Sequence, residues 1–197
     1  MSAPTLTVQR SESYDQLTYV LRFIGFYGFF YVIHFLLGIG YRIAAGFVMM
    51  LNLVLAFITG KSQKGLTDYI ERYLRYDARL NLTFMGLVDD IPNVDVSKDD
   101  PESGVQASVP AGELSKADCI LRLTPITMLL LTPHFIILSF YSMAVGFCWF
   151  FGLIVVIFTG SWNDAMFNLI VGFYRWKLRV EAYMMGLSTQ YPPFSAS

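Results

Sequence analysis

Residues 120–159 read ILRLTPITMLLLTPHFIILSFYSMAVGFCWFFGLIVVIFT, a run in which Arg122 and His134 are the only ionisable side chains apart from tyrosine and cysteine. A second run of the same kind extends from Leu17 to Thr59, interrupted only by Arg22, His34 and Arg42. A bilayer core about 30 Å thick is spanned by about 20 apolar residues, whereas one straight helix over either run would reach about 60 Å. Each run therefore reads as two crossings joined by a turn.

The breaks are expected where small or charged residues interrupt the pattern, at Gly38-Ile-Gly-Tyr-Arg42 and at Ser139-Phe-Tyr-Ser142. The crossings then cover residues 17–37, 43–59, 119–138 and 143–159. The competing reading is one long kinked helix per run, with Pro125 and Pro133 bending the second.

Composition supports lipid as the solvent. The chain is 55% apolar, 16% aromatic and 15% charged, which excludes a disordered chain. A net charge of −1 leaves no basic field to hold nucleic acid. Cys119 and Cys148 have neither zinc-site spacing nor a disulfide framework around them. The polar residues ahead of the first run carry Glu12 and Asp15 against Arg10, and no small-residue cleavage site follows, so an uncleaved anchor is expected.

In the four-crossing reading thirteen of the fourteen Lys and Arg fall on one side, with Arg42 alone opposite. Short loops rich in Lys and Arg stay in the cytoplasm, which predicts a multi-pass inner-membrane protein with both termini cytoplasmic.

The chain also repeats itself. Leu21-Arg22 recurs as Leu121-Arg122, His34-Phe35 as His134-Phe135, Gly46-Phe47 as Gly146-Phe147 and Thr59-Gly60 as Thr159-Gly160. Arg75 and Arg79 match Arg175 and Arg179, and Met85-Gly86-Leu87 matches Met185-Gly186-Leu187. With Tyr41, Ala44, Leu53, Ile70 and Pro92 also repeated, 18 of the 72 positions from 21 to 92 are identical one hundred residues later. Two crossings per copy is an even number, so the copies are expected to enter the membrane in the same direction.

After each crossing pair the apolar residues take helical spacing. Met166, Leu169, Ile170, Phe173, Val180 and Met184 form one stripe, and Leu66, Tyr69, Ile70, Tyr73 and Leu80 form its counterpart. Arg175 and Arg179, and Arg72, Arg75 and Arg79, lie on other faces. Such a helix is expected in the cytoplasmic interface, anchored by Trp162, Trp176 and Tyr183, or else upright against the crossings.

The expected class is thus all-α: an integral membrane helical bundle of two tandem parallel repeats, each a transmembrane hairpin plus an interfacial amphipathic helix. Residues 1–16 form a cytoplasmic tail, 17–92 the first repeat, 93–118 an acidic cytoplasmic linker, 119–194 the second repeat and 195–197 a short tail. Residues 89–118 hold eight acids and two lysines with little periodicity, which suits a flexible connection or a dock for a basic partner.

Thr132-Pro-His134-Phe-Ile-Ile, Ile157-Phe-Thr-Gly160, Tyr174-Arg-Trp-Lys-Leu-Arg-Val-Glu-Ala-Tyr183 and Tyr191-Pro-Pro-Phe194 resemble a bacterial membrane family catalogued only as a domain of unknown function (DUF four-three-eight-nine). The resemblance covers about 120–195 closely. The first copy departs from it, with Ile33 in place of Pro133, Tyr76 in place of Trp176 and Asp90-Ile-Pro92 in place of the closing motif. The resemblance implies a membrane architecture and brings no enzyme activity.

Three groups are candidate sites. Arg75 with Arg79, and Arg175 with Arg179, stand at i and i+4, so two guanidiniums can converge on a phosphate or carboxylate; Arg22 and Arg122 begin each copy and can join them at anionic headgroups. His34 and His134 occupy equivalent positions, which suggests either two axial haem ligands or two structural imidazoles bonded to neighbouring backbone. No nucleophile elbow, P-loop, zincin or dinucleotide motif occurs, and no acid lies inside a predicted crossing. The expectation is a protein that is not an enzyme and needs no cofactor or metal. It would serve as an accessory or scaffold subunit of a larger membrane complex, contacting anionic lipid and other subunits or copies of itself. A small channel or permease with its pathway on the pseudo-two-fold axis is the alternative, and a bis-histidine haem carrier the third.

Overall fold

The punctuation of the apolar runs falls at Gly25 and Pro125, not at the expected turns. Gly25 takes φ 81°, a left-handed conformation that costs other residues 1–2 kcal/mol, and it closes α1 (Gln16–Phe23). Thr124 is extended, as the residue before a proline must be, and closes α4 (Lys116–Leu123). Beyond these points run α2 (Gly28–Thr59) and α5 (Ile126–Thr159), helices of 32 and 34 residues. The computed structural model describes residues 3–25, 28–89, 93–95 and 103–197.

Both expected turns lie inside continuous helix. In α5, Ser139 and Ser142 turn their hydroxyls onto the carbonyls of Phe135 and Ser139, both at 2.7 Å, so they do not compete with the helix for its amides. In α2, Arg42 is compensated from outside the helix by Asp77 and Tyr73. Pro133 is carried within α5 without ending it. Each apolar run is therefore one short and one long helix, and the four separate crossings are corrected to two candidate spans. Both long helices are apolar enough to cross a membrane, and only 22% of each one's most apolar window is buried.

The amphipathic segments form α3 (Lys64–Phe84) and α6 (Asp164–Met184), and neither stands alone at an interface. Each folds back along the long helix before it. For α3, the Gln63 amide donates to Asn52 Oδ1 near the end of α2 at 2.9 Å, and Phe84 packs edge-on against Tyr31 near its start. For α6, Trp162 lies against Gly152, the Tyr141 hydroxyl donates to the Leu169 carbonyl at 2.9 Å, and Val180 and Tyr183 pack with Leu131. The amphipathic stripe covers the long helix, a larger apolar area than a headgroup layer offers.

The α3 and α6 pair meets at mid-length, where Lys177 Nζ stands 2.8 Å from Asp77 Oδ2. Just past the end of α3, the Gly86 carbonyl accepts the Trp162 indole N–H from just before α6. The two helices are thus antiparallel, and because each opposes its own long partner, α2 and α5 also run in opposite senses. This corrects the expected same-direction entry: each half supplies one long apolar helix rather than two.

An antiparallel ribbon of β1 (Thr5–Val8) and β2 (Val105–Ser108) lies over the crossing, with Thr5 opposite Ser108 and Val8 opposite Val105. These four-residue strands sit in the stretches expected to be a tail and a flexible linker, and they make the fold mostly helical rather than all-α. Their inward residues Leu6 and Val105 are buried in the main core with Tyr73, Leu74, Leu82 and Ile170. Further along the linker, the Gly112 amide donates to the Leu187 carbonyl and Leu114 packs on Leu53 and Ala56. Linker residues 96–102 and the Asp90-Ile-Pro92 motif lie outside the described residues. The short helices exchange partners: Phe23 of α1 meets Phe150 of α5, while Cys119 of α4 meets α2.

Candidate functional site

Where α3 crosses α6, a cluster of four charged side chains lies below the ribbon. Lys177 Nζ bridges Asp77 Oδ2 at 2.8 Å and Glu181 Oε1 at 3.4 Å, and Arg42 from the middle of α2 reaches Asp77 Oδ1 at 3.2 Å. The Arg42 Nε–H also donates to the Tyr73 hydroxyl at 2.9 Å, and Asn81 donates to Asp77 at 3.1 Å. Helical spacing explains the grouping. Lys177 and Glu181 are one turn apart on α6, and Gly172, Arg175 and Arg179 occupy the opposite face, beneath the ribbon and the C-terminal residues.

Burial works against the Asp77 carboxylate, yet Lys177 and Arg42 outweigh it and hold its pKa below the ordinary value. Glu181 goes the other way: burial and the neighbouring Asp77 charge raise it despite Lys177. Tyr73 and Tyr174, which line the cluster, are pushed up to about 12, chiefly by burial. The result is two carboxyls in contact with one ammonium, their pKa values moved in opposite directions.

Two grooves flank the crossing. One, of about 310 Å³, lies between α5 and α6; Phe135, Leu138, Phe173, Val180 and Met184 wall it, and Lys177 and Glu181 line it with Ser139 and Ser142. The other, of about 410 Å³, lies between α2 and α3 against Tyr31, Val32, Phe35, Leu80, Phe84 and Asn81.

The arginines expected to grip lipid are mostly committed to the protein's own carbonyls. Arg122, with a side chain 0% exposed, donates to Tyr183 O at 3.0 Å and Ser188 O at 2.8 Å, and pairs with Asp118. Arg22, 6% exposed, approaches Thr83 O and pairs with Asp89. These two sit at the carbonyl ends of α6 and α3, where a cation complements unpaired C=O groups and the helix dipole. Arg79 and Arg175 hold the ribbon through Val105 O at 3.2 Å and Leu6 O at 2.9 Å. Arg179 binds the carbonyls of Ser195 and Ser197, and Arg75 pairs with Glu71. Spacing placed each pair on one helix; Arg75 meets a carboxylate one turn away, whereas the carbonyls that Arg79, Arg175 and Arg179 meet lie outside their own helices.

Trp162, Trp176 and Tyr183, expected as headgroup anchors, are inside. Trp162 fills the space over Gly152, where a Cβ would stand 2.0 Å from its ring. Trp176 donates its indole N–H to His134 Nδ1 at 2.9 Å, and Tyr183 lies beneath the Arg122 guanidinium. Large rings are the side chains best able to close the gaps between long helices, which is why they are drawn inward.

The histidines stand in separate helix pairs. His34 Nδ1 lies 3.0 Å from the Tyr76 hydroxyl, and His134 is covered by Phe194 in a stacked contact at 3.9 Å. Their partners are side chains on α3 and α6 rather than backbone. Because indole only donates, His134 Nδ1 is the acceptor and its proton resides on Nε2. An iron at Nε2 would have to displace that proton, so this geometry does not favour the axial-ligand reading. Among the described residues no three His, Cys, Asp or Glu side chains are grouped to hold a metal ion.

Residues 124–196 match the family described as Domain of unknown function (DUF4389). No curated protein and no solved structure matches the chain. The DUF4389 segment comprises α5, α6 and the Tyr191–Phe194 close, and so contains His134, Trp176, Lys177 and Glu181. Asp77 and Arg42, the other half of the charged cluster, come from the part of the chain outside the DUF4389 match. Sequence reading passed over all four cluster residues. Their spacing carries no motif, and the one available signal was Arg42, a lone charge in an apolar run that needs a partner.

Proposed function

We propose that the chain is a non-catalytic membrane protein, an accessory or scaffold subunit built from two related copies, held in lipid by the outer faces of α2 and α5. The observation that carries this reading is the exposure of those helices: Phe29, Phe35 and Phe47 on one and Phe140, Phe147 and Phe158 on the other face outward. A soluble protein buries such helices, whereas here a single stripe of each touches the rest of the chain. Duplication is supported by element bounds that recur one hundred residues apart, and by the equivalent placement of Arg22 with Arg122 and of His34 with His134. The ion pairs at the crossing tie α2, α3 and α6 together, which supports a structural role over a catalytic one.

The geometry favours helices lying along one leaflet. The ribbon and residues 195–197 sit at the mid-length of α3 and α6, which is also the mid-length of α2 and α5. If the long helices crossed the bilayer upright, those irregular polar segments would lie at its centre, where backbone groups facing lipid are not tolerated. Laid in the plane, α2 and α5 meet lipid while the ribbon meets water. The multi-pass reading rests on helix length, about 50 Å against a hydrocarbon core of about 30 Å, and the placement of both termini in the cytoplasm rests on the one-sided distribution of Lys and Arg.

Retention in the pellet after alkaline carbonate tests the membrane reading, and release into the supernatant refutes it. Single cysteines at Lys61 and Ser161, in a chain lacking Cys119 and Cys148, separate the two geometries. Both ends are labelled by an impermeant maleimide from one side if the helices lie in plane, and from opposite sides if they cross. A defined partner recovered from native membranes is the result expected of an accessory subunit.

A further inference from the structure

We propose that the groove between α5 and α6 binds a single-chain amphiphile through a neutral hydroxyl head, that of a long-chain alcohol, held between Lys177 and Glu181. The inference deepens the membrane reading and rests on it, because the groove lies on the face of α6 turned away from the ribbon, the side on which α5 meets lipid.

The walls suit a hydrocarbon chain: Phe135 and Leu138 from α5 face Phe173, Val180 and Met184 from α6. Its volume of about 310 Å³ is at the lower end of small-molecule sites. Its floor is what selects the head. An ammonium has three N–H donors, and among the described residues Lys177 directs two of them to Asp77 and Glu181. Glu181 meets Lys177 through Oε1 at 3.4 Å, a long contact that leaves the carboxyl able to accept or share another hydrogen bond. A hydroxyl accepts from the third Lys177 N–H and donates to Glu181, satisfying both at once.

Charge balance argues for a neutral head. Arg42 and Lys177 face Asp77 and Glu181, two cations against two acids, so a fully ionised ligand would add an uncompensated charge to a site sheltered from water. Side-chain exposures of 24% for Lys177 and 19% for Glu181 leave both reachable from the groove.

The chain carries its own control. In the groove between α2 and α3, Phe35 and Leu80 stand where Phe135 and Val180 do, but the floor is Asn81, whose amide already donates to Asp77. That groove is apolar and roomy, and among the described residues lining it there is no cation to hold an alcohol.

The test is photolabelling of the full chain in detergent with a diazirine-bearing hexadecanol and with its methyl ether, which keeps the chain and lacks the O–H. Losing one hydrogen bond to a charged partner is worth about tenfold in occupancy. The alcohol is expected to label the peptides bearing residues 135–142 and 173–184 about tenfold more than the ether does. Ser139→Phe, at an exposed position on the rim, should abolish that labelling, and Val32→Phe, at an exposed position lining the other groove, should leave it unchanged. Equal labelling by alcohol and ether, equal labelling of both grooves, or labelling that survives Ser139→Phe overturns the proposal. Carbonate extraction is scored separately, so failure of the site and failure of the membrane reading are distinguishable.

Discussion

Asp77 and Lys177 show how much one side chain can decide. They are equivalent positions one hundred residues apart, yet one is an acid and the other a base, and they meet at 2.8 Å. Removing Lys177 takes the ammonium from Glu181 and leaves Asp77 with Arg42 alone, so Lys177→Met should cost about 3 kcal/mol, read as a lowered melting temperature in detergent. Glu181 gives the opposite pH behaviour to Asp77. Because its native pKa is raised, the folded state holds a proton that the unfolded state has released. Stability attributable to Glu181 therefore falls as pH climbs from its ordinary value near 4.5 towards the raised native value. Asp77, with a depressed pKa, contributes stability above its ordinary value near 3.8 that is lost as the medium is acidified below it. Glu181→Gln should consequently raise the melting temperature at pH 8 relative to wild type by more than it does at pH 5. At Gly152 the limit is space. Gly152→Ala places a Cβ into the Trp162 ring and should destabilise by about 1–3 kcal/mol, with a shift in tryptophan emission as the ring is displaced.

At the scale of the element, boundaries were set by the backbone demands of a few residues. The apolar pattern showed where helix would be, but it placed the breaks at Gly38–Arg42 and Ser139–Ser142, positions that turn out to be mid-helix. Small residues in a strongly apolar run lower helix preference only slightly, whereas Gly25 with positive φ and Thr124 ahead of Pro125 impose non-helical backbone. Capping is legible in the same local way. Ser115 and Asp118 form a reciprocal capping box at the start of α4. Ser115→Ala should cost about 1 kcal/mol, measured by chemical denaturation. The ribbon was invisible because TLTV and VQAS are too short to show alternation, and each strand exists only by pairing with the other across about one hundred residues.

For the whole molecule, the halves depend on each other. The short helix of each packs on the long helix of the other, and the ribbon takes one strand from each. Expressed alone, residues 103–197 would expose the faces that α1 and α3 cover, and self-pairing would set Lys177 against Lys177. Like charges at that crossing disfavour the self-pair and select the unlike one. Light scattering should find the isolated half aggregated or monomeric, with co-expression of residues 1–92 restoring a one-to-one complex.

The amino-acid sequence by itself determined the two apolar runs, the amphipathic character of α3 and α6, and the period of one hundred, because these are properties of neighbours along the chain. It also placed the arginines and histidines at matching positions. What the arginines bind, the opposed sense of α2 and α5, the ribbon over the crossing and the Asp77–Lys177–Glu181 cluster were decided only by tertiary structure. Each depends on which distant carbonyl, ring or charge arrives beside a residue, and local spacing contains no term for that arrival.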